Sequence, residues 1–139
     1  MGVKIKAADT WFSKCVREAH NWTCERCSTQ YEQGSMGLHN SHIFTRSHRT
    51  IRWAKENTQA LCYPCHSWFG GNPADSGYWI TELKGEGFMQ SLREKRDLKL
   101  KVSKLEEKEI AAWYREQHKI ILEKRNNGQT GFIDFVSYQ

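Results

Sequence analysis

Apolar positions in the first twenty residues recur at helical spacing, with Trp11, Phe12, Cys15, Val16 and Ala19 on one face. Asp9 or Thr10 stands where an N-cap belongs, so a helix is predicted from there to about Ala19, ended by Asn21–Cys24. Glu32–Gly37 is turn-rich. Leu38–Thr45 then reads as a strand, His48–Thr50 as a loop and Ile51–Trp53 as a short return strand. Asn57–Leu61 leads to a helix starting near Cys65 and passing Trp68 and Phe69, until Gly70-Gly71-Asn72-Pro73 breaks it. The order is strand, loop, strand, helix. Past Asp75 the pattern becomes helical: a short helix over Tyr78–Leu83, a break near Gly85 and Gly87, and a second helix from Phe88 to about Leu98. Ser103 and Glu106 form a capping-box signature for a third helix. It runs to about Asn126 with Ile110, Trp113, Tyr114, Gln117 and Ile121 on one face and Gly128 as its stop. The tail from Gly131 to Tyr138 is too apolar to be left in water. It fits an edge strand, packing back on the domain, or contact with a second subunit, which would make a homodimer.

Cysteine spacing changes this picture most. Cys24-Glu25-Arg26-Cys27 and Cys62-Tyr63-Pro64-Cys65 are paired CxxC knuckles, and four thiolates so spaced make a closed, structural zinc site. Five cysteines and a start, Met1-Gly2-Val3-Lys4-Ile5-Lys6, without the apolar core of a signal peptide point to a reducing, cytoplasmic setting. Metal therefore outranks two disulfides. Cys15 reads as inert packing on its helical face. The fold class expected is α+β: residues 1–75 form a zinc-stapled ββα core with an N-terminal helix, and residues 76–139 a helical extension with an apolar tail.

The segment between the knuckles carries a set of side chains with a common use. A neutral histidine can take a proton from water at pH 7, and His42 is the candidate general base. His66, fixed at the start of a helix beside a knuckle, is the candidate ligand for a catalytic divalent cation. Asn57 is read as clamping the loop through side-chain to backbone hydrogen bonds, which orients His42. Arg46, Arg49 and Arg52 can fork to phosphate oxygens. His39 and His48 fit a second metal ligand, a phosphate contact or a plain surface position. Trp53 and Trp68 read as core rather than as base-stacking platforms. Together these groups are what hydrolysis of a phosphodiester needs.

The run Leu38-His39-Asn40-Ser41-His42, Arg46, Ile51-Arg52-Trp53, Glu56-Asn57 and Ala60-Leu61-Cys62-x-x-Cys65-His66 resembles the HNH (His-Me finger) endonucleases of phages. The branch it resembles most is that of the NinG/Rap-like recombination nucleases, which act on branched DNA. The similarity covers about residues 9 to 90. It implies a ββα-metal core with His42 as base, Asn57 as loop clamp and His66 as catalytic-metal ligand. Ser41 departs from the pattern, because many such enzymes carry an acidic residue or histidine directly before the base. A hydroxyl is a weak ligand for a hard cation. Either water and phosphate complete the shell beside His66, or His39 or His48 substitutes. The cation is then Mg²⁺ or Mn²⁺, with Ni²⁺ or Zn²⁺ as alternatives.

Net charge +5 and a pI near 9.0 suit a DNA partner. No apolar run approaches the length of a membrane span. Charge dominates Arg93–Lys108, read as a solvated helix face or as a phosphate-contacting arm. The competing reading is a zinc-stabilised DNA-binding module without catalysis, and RNA cleavage is a third.

Overall fold

The computed structural model describes residues 3–139. The chain is mixed helix and strand, with one small antiparallel sheet of two strands. Helix α1 spans Ala7–Ala19. It begins earlier than the sequence suggests because Asp9 is the N3 residue, not the cap. Its carboxylate accepts from the Lys6 backbone N–H at 2.8 Å, which satisfies the donor at the helix entrance. Ala8, Phe12, Cys15, Val16 and Ala19 are buried along one stripe. Asn21 and Trp22, both at positive φ, end the helix and reverse the chain.

Strand β1 (Leu38–His42) pairs with β2 (Thr58–Cys62), in a register running from Leu38 opposite Cys62 to His42 opposite Thr58. The first strand is shorter than expected, and the return strand lies further on than Ile51–Trp53. Those residues form turns. The reason is a buried carboxylate. Arg52 Nε and Trp53 Nε1 both donate to Asp9, at 2.9 and 3.0 Å. Consecutive side chains of a strand point to opposite faces, so two neighbours cannot reach one group from extended backbone. All of β2 is buried, as befits a strand covered on both sides.

Helix α2 (Tyr63–Gly71) follows β2 directly, with Pro64 in its first turn, where the missing N–H costs nothing. The same property of Pro73 starts α3 (Pro73–Lys84) only one residue later, so the helix expected over Tyr78–Leu83 is longer. Gly85, at φ 94°, joins α3 to α4 (Glu86–Asp97), a conformation only glycine adopts freely. The final helix, α5 (Lys104–Asn126), opens as its capping signature implies: Ser103 Oγ accepts from the Glu106 N–H at 3.1 Å. Gly128, at φ 93°, follows its end.

α1 lies between α5 and the hairpin, and one buried cluster joins them. Phe12, Tyr114 and Phe135 meet at centroid distances of 4.8, 6.0 and 6.2 Å. Residues on both sides of the expected boundary at residue 75 share this cluster, so the extension belongs to the same core as the zinc segment. Cys15 sits within it, and burial pushes its thiol up to about 12, as expected for inert packing. The tail has no strand. It packs back on its own chain: the Ile133 N–H donates to the Ala19 carbonyl at 2.9 Å, and Ile133 and Phe135 are buried. Trp113 and Gln117, expected in the core face of α5, instead hold this tail by bonds to the Val136 carbonyl and N–H. Phe132 and Val136 remain exposed.

The buried Asp9–Arg52 pair gives the first prediction. Asp9→Asn leaves the Arg52 guanidinium buried without its counter-charge, and should cost about 3–5 kcal/mol of stability. A urea unfolding curve measures it, and a loss below about 1 kcal/mol would mean the loop is held by other contacts. Burial pushes the Asp9 carboxyl up, but hydrogen bonds from Arg52 and the Lys6 amide outweigh it and leave the carboxyl below its ordinary 3.8. The pair's contribution is thus present above pH 3.8 and is lost as pH falls through the lowered folded value.

Candidate metal centre and catalytic groove

The sulfurs of Cys24, Cys27, Cys62 and Cys65 lie within 4.8 Å of one another, so the two knuckles form a cluster that could hold a structural metal such as zinc. Cys27 and Cys62 Sγ are 3.7 Å apart. Zn–S bonds of ~2.3 Å at tetrahedral angles require an edge of about 3.8 Å, so the donor set fits that ion. Backbone and side chain of Glu25 dock the first knuckle on β2, with Glu25 N–H to the Ala60 carbonyl at 2.8 Å and the Ala60 N–H to Glu25 Oε2 at 2.6 Å. Arg26 reaches Cys65 Sγ at 3.5 Å while its guanidinium covers the Trp68 ring at 3.7 Å. That cation offsets the excess negative charge of four thiolates. Burial pushes the Cys65 thiol up to about 12, whereas hydrogen bonds with Thr29 hold Cys27 down at about 6. Metal binding at neutral pH therefore displaces protons.

The loop between the strands is fixed by Asn57, which is fully buried. Its Oδ1 accepts from the Phe44 N–H at 2.9 Å, and its Nδ2 donates to the carbonyls of Phe44 at 2.8 Å and Ile51 at 3.3 Å. One amide thus ties both ends of the turn that follows β1. His42 closes β1, and its Nε2 lies 3.0 Å from the Arg52 carbonyl. A carbonyl only accepts, so Nε2 carries the proton and Nδ1 keeps its lone pair. Burial, opposed by that bond and aided by nearby Arg46, holds His42 below its ordinary 6.5. The imidazole is neutral at pH 7.

His66, in the first turns of α2, faces His39 of β1 with Nδ1 atoms 2.9 Å apart. His39 Nε2 donates to the Met36 carbonyl at 3.1 Å, leaving its Nδ1 lone pair toward His66. Orientation of one ring nitrogen by a carbonyl is the arrangement found behind metal-bound histidines. His66 Nδ1 is then the donor across that gap, and an N–H···N hydrogen bond joins the two rings. Burial and the neighbouring His39 both hold His66 below its ordinary value.

His42 and His66 line one open groove of about 980 Å³ together with Asn40 and Arg46. Arg46 thus shares the groove of His42. Ser41 is buried at 2% exposure. Arg49 donates to Glu107 of α5 at 2.7 Å and, with His48, lines a second, basic groove. Arg52 corrects the expectation for it: at 1% exposure, with its guanidinium on Asp9 and the Lys4 carbonyl, it cannot reach a phosphate. Its backbone carbonyl, not its charge, serves the site by holding His42. Sequence reading missed Asp9 and Arg52 as organisers, and the available hint was an acidic residue on the apolar side of α1. Trp53 is buried, as expected.

No family model, curated protein or solved structure matches this chain. No helix among the described residues is long and apolar enough to cross a membrane.

The cluster makes a direct prediction. Cys62→Ser should abolish binding of one zinc per chain and remove most of the cooperative unfolding transition, read by elemental analysis and thermal denaturation. Full stability after exhaustive chelation would exclude a structural role for the metal.

Proposed function

We propose that this chain is a metal-dependent DNA endonuclease of the HNH type, as in phages, with the hairpin and α2 as its ββα-metal unit. The observation that carries the reading is the convergence of His42 and His66 on one groove, each with a ring nitrogen oriented by its neighbours. His42 Nδ1 takes the proton from the attacking water, while the Arg52 carbonyl on Nε2 stabilises the imidazolium that results. Asn57 keeps the loop, and with it that carbonyl, in register. Arg46 binds a non-bridging oxygen of the scissile phosphate. Once His66 Nδ1 loses to solvent the proton it shares with His39, the two rings would hold a divalent cation, which would stabilise charge on the phosphate and on the leaving 3′ oxygen. His39 takes the part that Ser41 cannot. Two imidazole donors favour Mn²⁺, Ni²⁺ or Zn²⁺ over Mg²⁺.

A non-catalytic zinc-stabilised DNA-binding module is the second reading, favoured by the second, basic groove. Metal stoichiometry separates the two: the enzyme takes up a second divalent ion beyond the structural zinc, the module does not.

Three measurements test the nuclease. His42→Ala should lower cleavage of a branched or linear DNA panel by roughly 100-fold or more, with fold and DNA affinity kept. Near-normal turnover at pH 7 would remove His42 from the mechanism. His66→Ala and His39→Ala should each raise the divalent-ion concentration needed for half-maximal rate. The rate should also fall on acidification, as His42 protonates below pH 6.5; an acidic limb centred above that value would belong to another group.

A further inference from the structure

The charge of this chain is unevenly placed. A groove of about 540 Å³ runs between the loop after β1 and the connector joining α4 to α5. It is lined by Lys6, Arg49, Arg96, Lys99, Lys101 and Lys104, with Glu107 as its one carboxylate. Removing those six from the 21 basic residues, and Glu107 from the 16 acidic ones, leaves fifteen of each. The side chains lining this groove thus carry a formal excess equal to the net charge of +5, before the pairing of Arg96 with Asp97 at its rim. A solvated helix face has no reason to concentrate the whole excess in a concavity, where like charges repel.

Part of the cost is met internally. Glu107 bridges Lys6 at 3.1 Å and Arg49 at 2.7 Å, and Arg96 pairs with Asp97 at 2.9 Å. Lys99, Lys101 and Lys104 have no carboxylate partner among the described residues. All three are exposed, and Lys99, at φ 54°, ends α4 in the left-handed conformation common just past a helix C-cap. The groove also joins the site already described: Ser47 lines both it and the groove that holds His42 and His66.

We infer that the connector between α4 and α5 is a phosphate-binding arm, and that Lys99, Lys101 and Lys104 hold the backbone of a DNA strand leaving the His42 groove past Ser47. This rests on the nuclease reading for the identity of the polyanion, but the arm binds phosphate whether or not the strand is cut. Ammonium groups on flexible stems supply sequence-independent contacts, so the arm adds affinity and positions the strand without reading bases.

The test uses the full chain with its zinc, in a His42→Ala background that leaves the DNA uncut. Affinity for a labelled duplex and a four-way junction is measured by fluorescence anisotropy over a salt series. Changing Lys99, Lys101 and Lys104 together to glutamine removes three charges from exposed positions. It should lower the slope of log K against log salt by about 2–3 and weaken binding at 0.1 M salt on the order of 100-fold. The control triple Lys108→Gln, Lys119→Gln and Lys124→Gln removes the same charge elsewhere on α5 and should change the slope by less than about one contact. Unfolding temperatures identify any variant that fails to fold; in that case the single Lys101→Gln change is read, with an expected slope change near 1.

Equal effects of the two triples would overturn the arm, since net charge alone would then explain binding. So would an unchanged slope, or lysine-dependent binding to vesicles of phosphatidylcholine and phosphatidylserine with none to DNA. DNA bound through the three lysines but never cut by the His42 protein removes the nuclease and keeps the arm. Cutting with unchanged slopes removes the arm and keeps the nuclease. No DNA binding at all removes both.

Discussion

The carboxylate of Asp9 is the contact on which the arrangement of the candidate site depends. It accepts from Arg52 Nε and Nη2, from Trp53 Nε1 and from the Lys6 N–H. A buried ion pair is seldom a net source of stability, because desolvating both charges offsets their attraction. Its worth here is geometric. It pins the middle of a long loop to the first turn of α1, and so sets where the Arg52 carbonyl lies. That carbonyl decides which nitrogen of His42 carries a proton. An acidic residue in a helix's first turn thus reaches, through one arginine, to the tautomer of a histidine in a different element.

Two constraints divide the work of holding this loop-rich segment. The four thiols gather its ends, Cys24 and Cys27 before the hairpin and Cys62 and Cys65 after it. Asn57 and Asp9 hold its middle. Neither would suffice alone. A knuckle cluster fixes the start of α2, and therefore His66, but leaves some fifteen residues after β1 free to move. The interior pair fixes those residues but says nothing of α2. Only with both in place do His42 and His66 face one groove at fixed separation.

What could be read in the sequence were signals whose physics is local. The paired knuckles, the Ser103 cap and the Gly128 stop each depend on spacings of a few residues, and all appear where expected. The return strand was misplaced because Ile51-Arg52-Trp53 has strand-like composition, and only a partner 43 residues away in sequence reveals why it turns. Arg52 looked like a phosphate contact for the same reason. An arginine's type says it can fork to an oxyanion, not whether that oxyanion belongs to a ligand or to Asp9. The tail shows a third kind of limit. Its apolar residues announced burial, but the choice among edge strand, self-packing and a second subunit lay with Ala19, Trp113, Gln117 and Tyr114, all distant in sequence.

The helical extension is no passive appendage either. α5 packs along α1, so the two helices share a core that contains Phe12, Tyr114 and Phe135. Glu107 near the start of α5 holds Arg49 of the loop and Lys6 at the start of α1. The hydrogen bond from Arg49, aided by Lys6, keeps the Glu107 carboxyl below its ordinary 4.5 although burial opposes it. It is therefore ionised at neutral pH. Its charge tethers the start of α5 to the loop, while Lys99, Lys101 and Lys104, without a carboxylate partner among the described residues, stay exposed. A carboxylate placed among six cations would weaken anion binding if it faced the ligand. Taken up by two of them at the seam between α5 and the loop, it fixes the groove's walls instead, and the excess positive charge is left on the side that solvent, or a strand, can reach.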